Sequence, residues 1–104
     1  MTGVTFSLYI VRCSDDTLYT GIACDVARRI AEHETGLRGA KYLRGKGPLK
    51  LEFSRVIGDR ATASAVEYRV KRLSRAQKEA IIDGRLSLDD LPDASKTDQV
   101  SGAG

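Results

Sequence analysis

Apolar and polar positions along the chain change period several times, and each change marks an element. Thr5 to Cys13 (Thr-Phe-Ser-Leu-Tyr-Ile-Val-Arg-Cys) is rich in β-branched and aromatic residues with apolar groups on both faces, which predicts a central strand. The polar cluster Ser14-Asp15-Asp16-Thr17 predicts a turn, and Leu18 to Ala23 resumes the strand pattern, so the two segments form a hairpin. Gly21, inside the second strand, marks a bulge or a close approach of backbone. Asp25 is placed to cap a helix whose apolar stripe is Val26, Ala27, Ile30 and Ala31 and which ends near Thr35-Gly36.

Gly36, Gly39, Gly45, Gly47 and Pro48 then punctuate a long loop. Leu49 to Phe53 alternates apolar and polar residues, the period of a half-buried third strand. Ala63, Val66, Val70 and Leu73 recur at three- and four-residue steps, predicting a second helix over 61–73. Ser74 with Gln77 three residues on forms a capping box for a third helix, which stops at Gly84. The order is β-β-α-β-α-α, an α/β chain of the α+β type with a small three-stranded, mainly antiparallel sheet flanked by three helices. Residues 1–86 read as one domain and residues 87–104, rich in Asp, Ser, Gly and Thr, as an acidic flexible tail.

Composition narrows the possibilities. The length of 104 residues suits a single small core. The longest apolar run, Leu8-Tyr9-Ile10-Val11, is far short of the roughly 20 residues of a spanning helix. The first residues lack a basic segment followed by an apolar one, so the expected location is the cytoplasm, with Cys13 and Cys24 as reduced thiols. Charge is uneven: residues 1–86 carry 16 Lys and Arg against 10 Asp and Glu, and residues 87–104 carry one against four. Between Thr35 and Lys50 stand Arg38, Lys41, Arg44, Lys46 and Lys50 with no acidic residue. Such a stretch is either a solvated loop or a surface for a polyanion.

Three residues break the local pattern. Arg29 and His33, four apart, lie with Val26 and Ile30 on or beside the buried stripe of the first helix. Glu67, four after Ala63 and three before Val70, projects from the face that should pack on the sheet, where a carboxylate is costly unless paired. Arg29 and Glu67 could satisfy one another in a partly buried salt bridge, with His33 a structural histidine and Tyr9 and Tyr19 core residues. Cys13, Cys24 and His33 fit no zinc-ligand spacing.

The combination carries more than its parts. Ser7-Leu8-Tyr9, Tyr19-Thr20-Gly21, Arg29 eight residues after the glycine, His33 four later, and Glu67 on a later helix resemble the GIY-YIG endonuclease signature. The resemblance runs from about Thr5 to Ile82 and is nearest to the small single-domain bacterial group, similar also to nuclease domains of structure-specific and excision-repair endonucleases. Ser7 stands where the first motif has glycine, and Lys78 and Glu79 stand where the family often has asparagine.

The resemblance implies a GIY-YIG fold and a metal-dependent hydrolysis of DNA phosphodiesters, on branched or damaged DNA in repair or recombination. It implies Tyr9 as the base that deprotonates water, Arg29 gripping a non-bridging phosphate oxygen, and Tyr19 and His33 orienting water or phosphate. It implies Glu67 as the sole protein ligand of one Mg²⁺ or Mn²⁺, and Gly21 as the structural glycine of the second motif. Arg38, Lys41, Arg44 and Lys46 are the expected nucleic-acid contacts, reading backbone and shape, with a protein partner as a further source of specificity. A non-cleaving DNA- or RNA-binding module of the same fold is the competing reading, and an adaptor for protein partners a third. The nuclease reading also demands a register: an odd hairpin loop, for instance Ser14 to Asp16 with Cys13 opposite Thr17, puts Tyr9 and Tyr19 on one face, and an even loop separates them unless a bulge at Gly21 restores the match.

Overall fold

The structure is a computed structural model that describes residues 4–35 and 48–91. Strands β1 (Phe6–Arg12), β2 (Leu18–Ala23) and β3 (Lys50–Gly58) and helices α1 (Val26–Thr35), α2 (Arg60–Lys71) and α3 (Arg75–Asp83) follow the order β-β-α-β-α-α, with a 3-10 turn at Leu88–Asp90. The sheet order is β2-β1-β3 and both pairings are antiparallel, so the most apolar strand is central. The hairpin loop is the three-residue one: the Cys13 N–H donates to the Thr17 carbonyl at 2.8 Å. Asp16 takes the positive φ of 71° that closes such a loop, a conformation Asp tolerates better than most residues. Asp15 braces the turn by accepting from the Thr17 N–H at 3.1 Å and its hydroxyl at 2.6 Å.

This register sorts β1 and β2 side chains cleanly. Leu8 and Ile10, fully buried, face α2 and α3, where Val66, Val70 and Ile81 meet them, with Leu18, Ile22 and Phe53 around the margin. Tyr9, Val11, Cys13 and Ala23 face the other way, packing with Leu49 and with Val26 and Ile30 of α1. One helix on one face and two on the other therefore enclose the hairpin. Each large aliphatic side chain buried in this way contributes about 1.5–3 kcal/mol.

Local chemistry places the helix ends as expected. The Arg28 N–H donates to Asp25 Oδ1 at 3.1 Å, and Thr62 N–H to Asp59 Oδ1 at 2.8 Å. Ser74 and Gln77 complete the reciprocal capping box, and Gly84 ends α3 at φ 83°. Strand β3 departs from expectation, running to Gly58 rather than stopping at Phe53. Its pairing with β1 shifts between Ile10 and Val11, which breaks the simple alternation beyond Glu52. The core also takes in Leu88 and Leu91, both buried, from the start of the acidic segment. Asp89 between them pairs with Arg55 on β3 at 3.2 Å.

A charged knot holds the far end of the sheet. Arg12 donates to Glu52 at 2.8 Å, to Asp16 at 3.0 Å and, through both guanidinium ends, to Glu79 at 2.9 and 3.1 Å. Arg75 reinforces it by pairing with Glu79 at 2.9 Å and with Asp16 at 3.3 Å. Glu79 thus ties α3 to β1. Its hydrogen bonds from Arg12 and then Arg75 hold its carboxyl at about 2, against an ordinary 4.5. Because the folded value is depressed, this stabilisation is complete above about pH 4.5 and is lost as pH falls toward 2. Glu79→Gln is expected to lower Tm at pH 7 and to flatten the loss of stability between pH 4.5 and 2, measured by circular dichroism melts across that window.

Candidate active site

The site begins with a missing side chain. Tyr9 pairs with Gly21 across the hairpin, and a Cβ at Gly21 would lie 2.6 Å from Tyr9 Oη and 2.8 Å from its Cζ. The glycine is a close approach rather than a bulge, for the β1–β2 pairing is regular throughout. The ring of Tyr9 can therefore lie across β2, on the same face as Tyr19, with the ring centroids 6.4 Å apart.

Helix α1 supplies the next two groups. His33, 3% exposed, meets Tyr19 edge-on at 5.7 Å between centroids, and its Nε2 is 3.1 Å from Tyr9 Oη. One turn earlier, Arg29 hydrogen-bonds toward the Tyr9 hydroxyl and pairs with Glu32 at 3.1 Å. Arg29 also borders a depression of about 300 Å³ with Ile22, Cys24 and Arg28, which does not include Tyr9, Tyr19, His33 or Glu67.

Protonation in this cluster follows from burial. Tyr9 is pushed up to about 12, mainly by desolvation and then by Tyr19, against the pull of Arg29. His33 is moved below the ordinary histidine value by burial and then by Arg29, with Glu32 opposing. Both groups are consequently neutral at pH 7, with Tyr9 a phenol and His33 an imidazole sharing a hydrogen bond. When the imidazole proton sits on Nδ1, the Tyr9 hydroxyl donates to Nε2.

Glu67 reaches the cluster from α2. It lies beside the buried stripe rather than on it, because Val66 and Val70 take the core-facing positions and residue 67 is rotated about 100° away. Its side chain keeps 22% exposure and pairs with Lys71 at 3.3 Å, while Arg29 pairs with Glu32, so the proposed Arg29–Glu67 bridge gives way to neighbours on each helix. The Glu67 charge still opposes ionisation of Tyr9. Lys71, not anticipated from the sequence, places its Nζ 5.9 Å from the Tyr19 ring centroid. Its spacing of four from Glu67 was the available signal. Arg38, Lys41, Arg44 and Lys46 lie outside the described residues.

A divalent ion can be tested against this donor set. Among the described residues no three His, Cys, Asp or Glu side chains gather as a metal cluster. Mg²⁺, however, commonly uses one or two carboxylates and completes its shell with water and phosphate oxygens. Glu67 fits that role, being half-buried, at the cluster, and already holding a cation in the form of the Lys71 ammonium.

Comparison with known proteins identifies the family. A family model described as the GIY-YIG catalytic domain matches residues 5–80, and the chain belongs to that family of nuclease-type domains. Within it the chain is similar to small bacterial UPF0213 proteins. It is 50% identical over 90 residues to one from Cronobacter sakazakii, covering 86% of this chain and 94% of that one. It is 48% identical over 100 residues to one from Enterobacter sp. strain 638, covering 96% and 97%. The solution structure of a UPF0213 protein from Bacillus halodurans matches with a TM-score of 0.50 and 42% identity, covering 76% of this chain and 83% of that chain. No helix among the described residues is long and apolar enough to cross a membrane.

Two measurements check the geometry. In an alkaline titration followed at 295 nm, one tyrosine is expected to ionise near pH 12, and Tyr9→Phe to remove that step. Gly21→Ala, which forces the Tyr9 ring aside, is expected to cost about 1–3 kcal/mol in chemical denaturation and to return the late tyrosine toward 10.

Proposed function

We propose that the chain is a divalent-metal-dependent endonuclease that hydrolyses phosphodiester bonds in DNA. The observation that carries this reading is the 3.1 Å contact between Tyr9 Oη and His33 Nε2, which offers the phenol a proton acceptor when the imidazole proton sits on Nδ1. A phenol held at about 12 is a poor source of phenolate at pH 7. It need not form one. As the attacking water gives a proton to Tyr9 Oη, the phenol proton passes to His33 Nε2, so no isolated phenolate appears.

The neighbours support each half of that transfer. Burial and Arg29 disfavour a lasting imidazolium, so after the P–O bond to the leaving oxygen breaks, His33 gives its proton to solvent water, and the leaving oxygen takes one from solvent. Arg29, whose side chain is about one-third exposed, is suited to grip a non-bridging phosphate oxygen, where its planar fork offers two donors. Tyr19 packs against His33 and keeps its ring in line with Tyr9. A divalent ion on Glu67 would neutralise charge developing on the scissile phosphate. The basic loop residues Arg38, Lys41, Arg44 and Lys46 would follow the DNA backbone, recognising shape in branched or damaged DNA of the kind met in repair.

The test is cleavage of labelled linear, flap and four-way-junction DNA with Mg²⁺ or Mn²⁺. Tyr9→Phe is expected to lower the rate 10²–10⁴-fold and Glu67→Ala to abolish turnover with binding retained. Wild-type activity is expected to persist below the ordinary histidine range of about 6.5, since the acceptor is neutral until its depressed value is reached. His33→Gln should remove that acidic limb along with most of the rate. Folded wild-type protein that binds these DNAs but cuts none would replace this reading with a non-cleaving binding module.

A further inference from the structure

Lys71 is held from two sides. Its Nζ is 3.3 Å from Glu67 Oε2 and 5.9 Å from the centroid of the Tyr19 ring. A Glu–Lys pair four residues apart on a helix is an ordinary surface contact. The second contact is not ordinary, because Tyr19 belongs to the sheet and meets His33 edge-on within the catalytic cluster. The ammonium therefore stands between the carboxylate and the aromatic groups, in the place from which a cation serves both.

We propose that Lys71 is a tethered cation that occupies the Glu67 carboxylate in the free protein and yields it to a divalent ion when a nucleic-acid phosphate draws the ammonium away. This rests on the metal-dependent reading above. A second cation brought to one carboxylate is repelled by the first, and the repulsion persists at distances of about 5 Å even near the surface. Lysine is suited to withdrawing: half its side chain is exposed, its stem is flexible, and an exposed ion pair is weak enough to exchange. A phosphate oxygen offers the ammonium a replacement anion, so its departure leaves no charge unpaired. By linkage, metal and nucleic acid then strengthen one another's binding, and the free protein does not load metal ahead of substrate.

The test measures metal binding without turnover. Mn²⁺ is titrated into nucleic-acid-free protein and the unbound ion is followed by electron paramagnetic resonance, for wild type, Lys71→Met, Lys71→Gln and Glu67→Gln, each checked for fold by circular dichroism. Lys71→Met and Lys71→Gln are expected to bind Mn²⁺ about five- to tenfold more tightly than wild type, and Glu67→Gln far more weakly. In a Tyr9→Phe background, DNA affinity is then measured by fluorescence anisotropy with Mg²⁺ and with EDTA. The gain from Mg²⁺ is expected to be largest with Lys71 present and smaller without it, with the Glu67→Gln series correcting for screening of the DNA by Mg²⁺. If both Lys71 variants bind Mn²⁺ no better than wild type while Glu67→Gln binds less, the tethered-cation inference is overturned and the metal reading stands. If Glu67→Gln binds Mn²⁺ as wild type does, Glu67 is not the ligand and both fall.

Discussion

Tyr9 reaches His33 because the residue facing it across the hairpin has no side chain. The ring of a strand tyrosine ordinarily stands off its own sheet, but here it lies across β2 where Gly21 leaves room, and a methyl group there would meet the hydroxyl at 2.6 Å. That vacancy has value only in one register. The three-residue loop closed by Asp16 sets Tyr9 against Gly21 and Tyr19 against Val11, so both tyrosines face α1 while Leu8 and Ile10 face α2 and α3. A slip of one residue would bury the site in the aliphatic core and expose that core on the other face. The turn, the apolar alternation and the Tyr9–His33 contact thus impose the same constraint.

The register sets the electrostatics in turn. By placing Tyr9 and His33 together out of water, it makes both charged forms costly, and their responses oppose: the acid is held protonated and the base unprotonated. Two neutral groups sharing one hydrogen bond can exchange a proton without either charge standing alone out of water. Arg29 favours ionisation of Tyr9 and disfavours that of His33. It thereby biases the pair toward giving a proton up rather than storing one.

Much of this was legible because it is local. Loop parity stated the condition under which Tyr9 and Tyr19 share a face, which the three-residue loop then meets, Asp25 and the Ser74/Gln77 box located helix starts, and the β-β-α-β-α-α order followed from period changes. What could not be read depended on three-dimensional partners. Glu67 was placed inward by counting from Ala63 and Val70, yet Val66, one position earlier, takes the core and turns Glu67 to the margin. Strand β3 runs past Phe53 because an edge strand with a register shift shows no clean alternation. Leu88 and Leu91 belong to the core although their surroundings are acidic, since two buried side chains suffice to dock a single turn and composition averages them away. The role of Glu79 required knowing that Arg12, 67 residues away, would face it.

The two charged clusters differ in the cation each uses, and the difference matches what each must do. At the far end of the sheet, Arg12 engages Glu52, Asp16 and Glu79 together, a fork whose geometry couples β1, β3, α3 and the hairpin loop. Rigidity there protects the register on which the site depends. At the end that carries Tyr9, the cation on Glu67 is a lysine, a compact and strongly hydrated point charge on a flexible stem. An arginine at residue 71 could hold the same carboxylate through two parallel hydrogen bonds and would leave it less readily. The site therefore combines a scaffold fastened by guanidinium forks with one carboxylate held by the cation best able to exchange, so that its charge can be rearranged without disturbing the strands that position Tyr9.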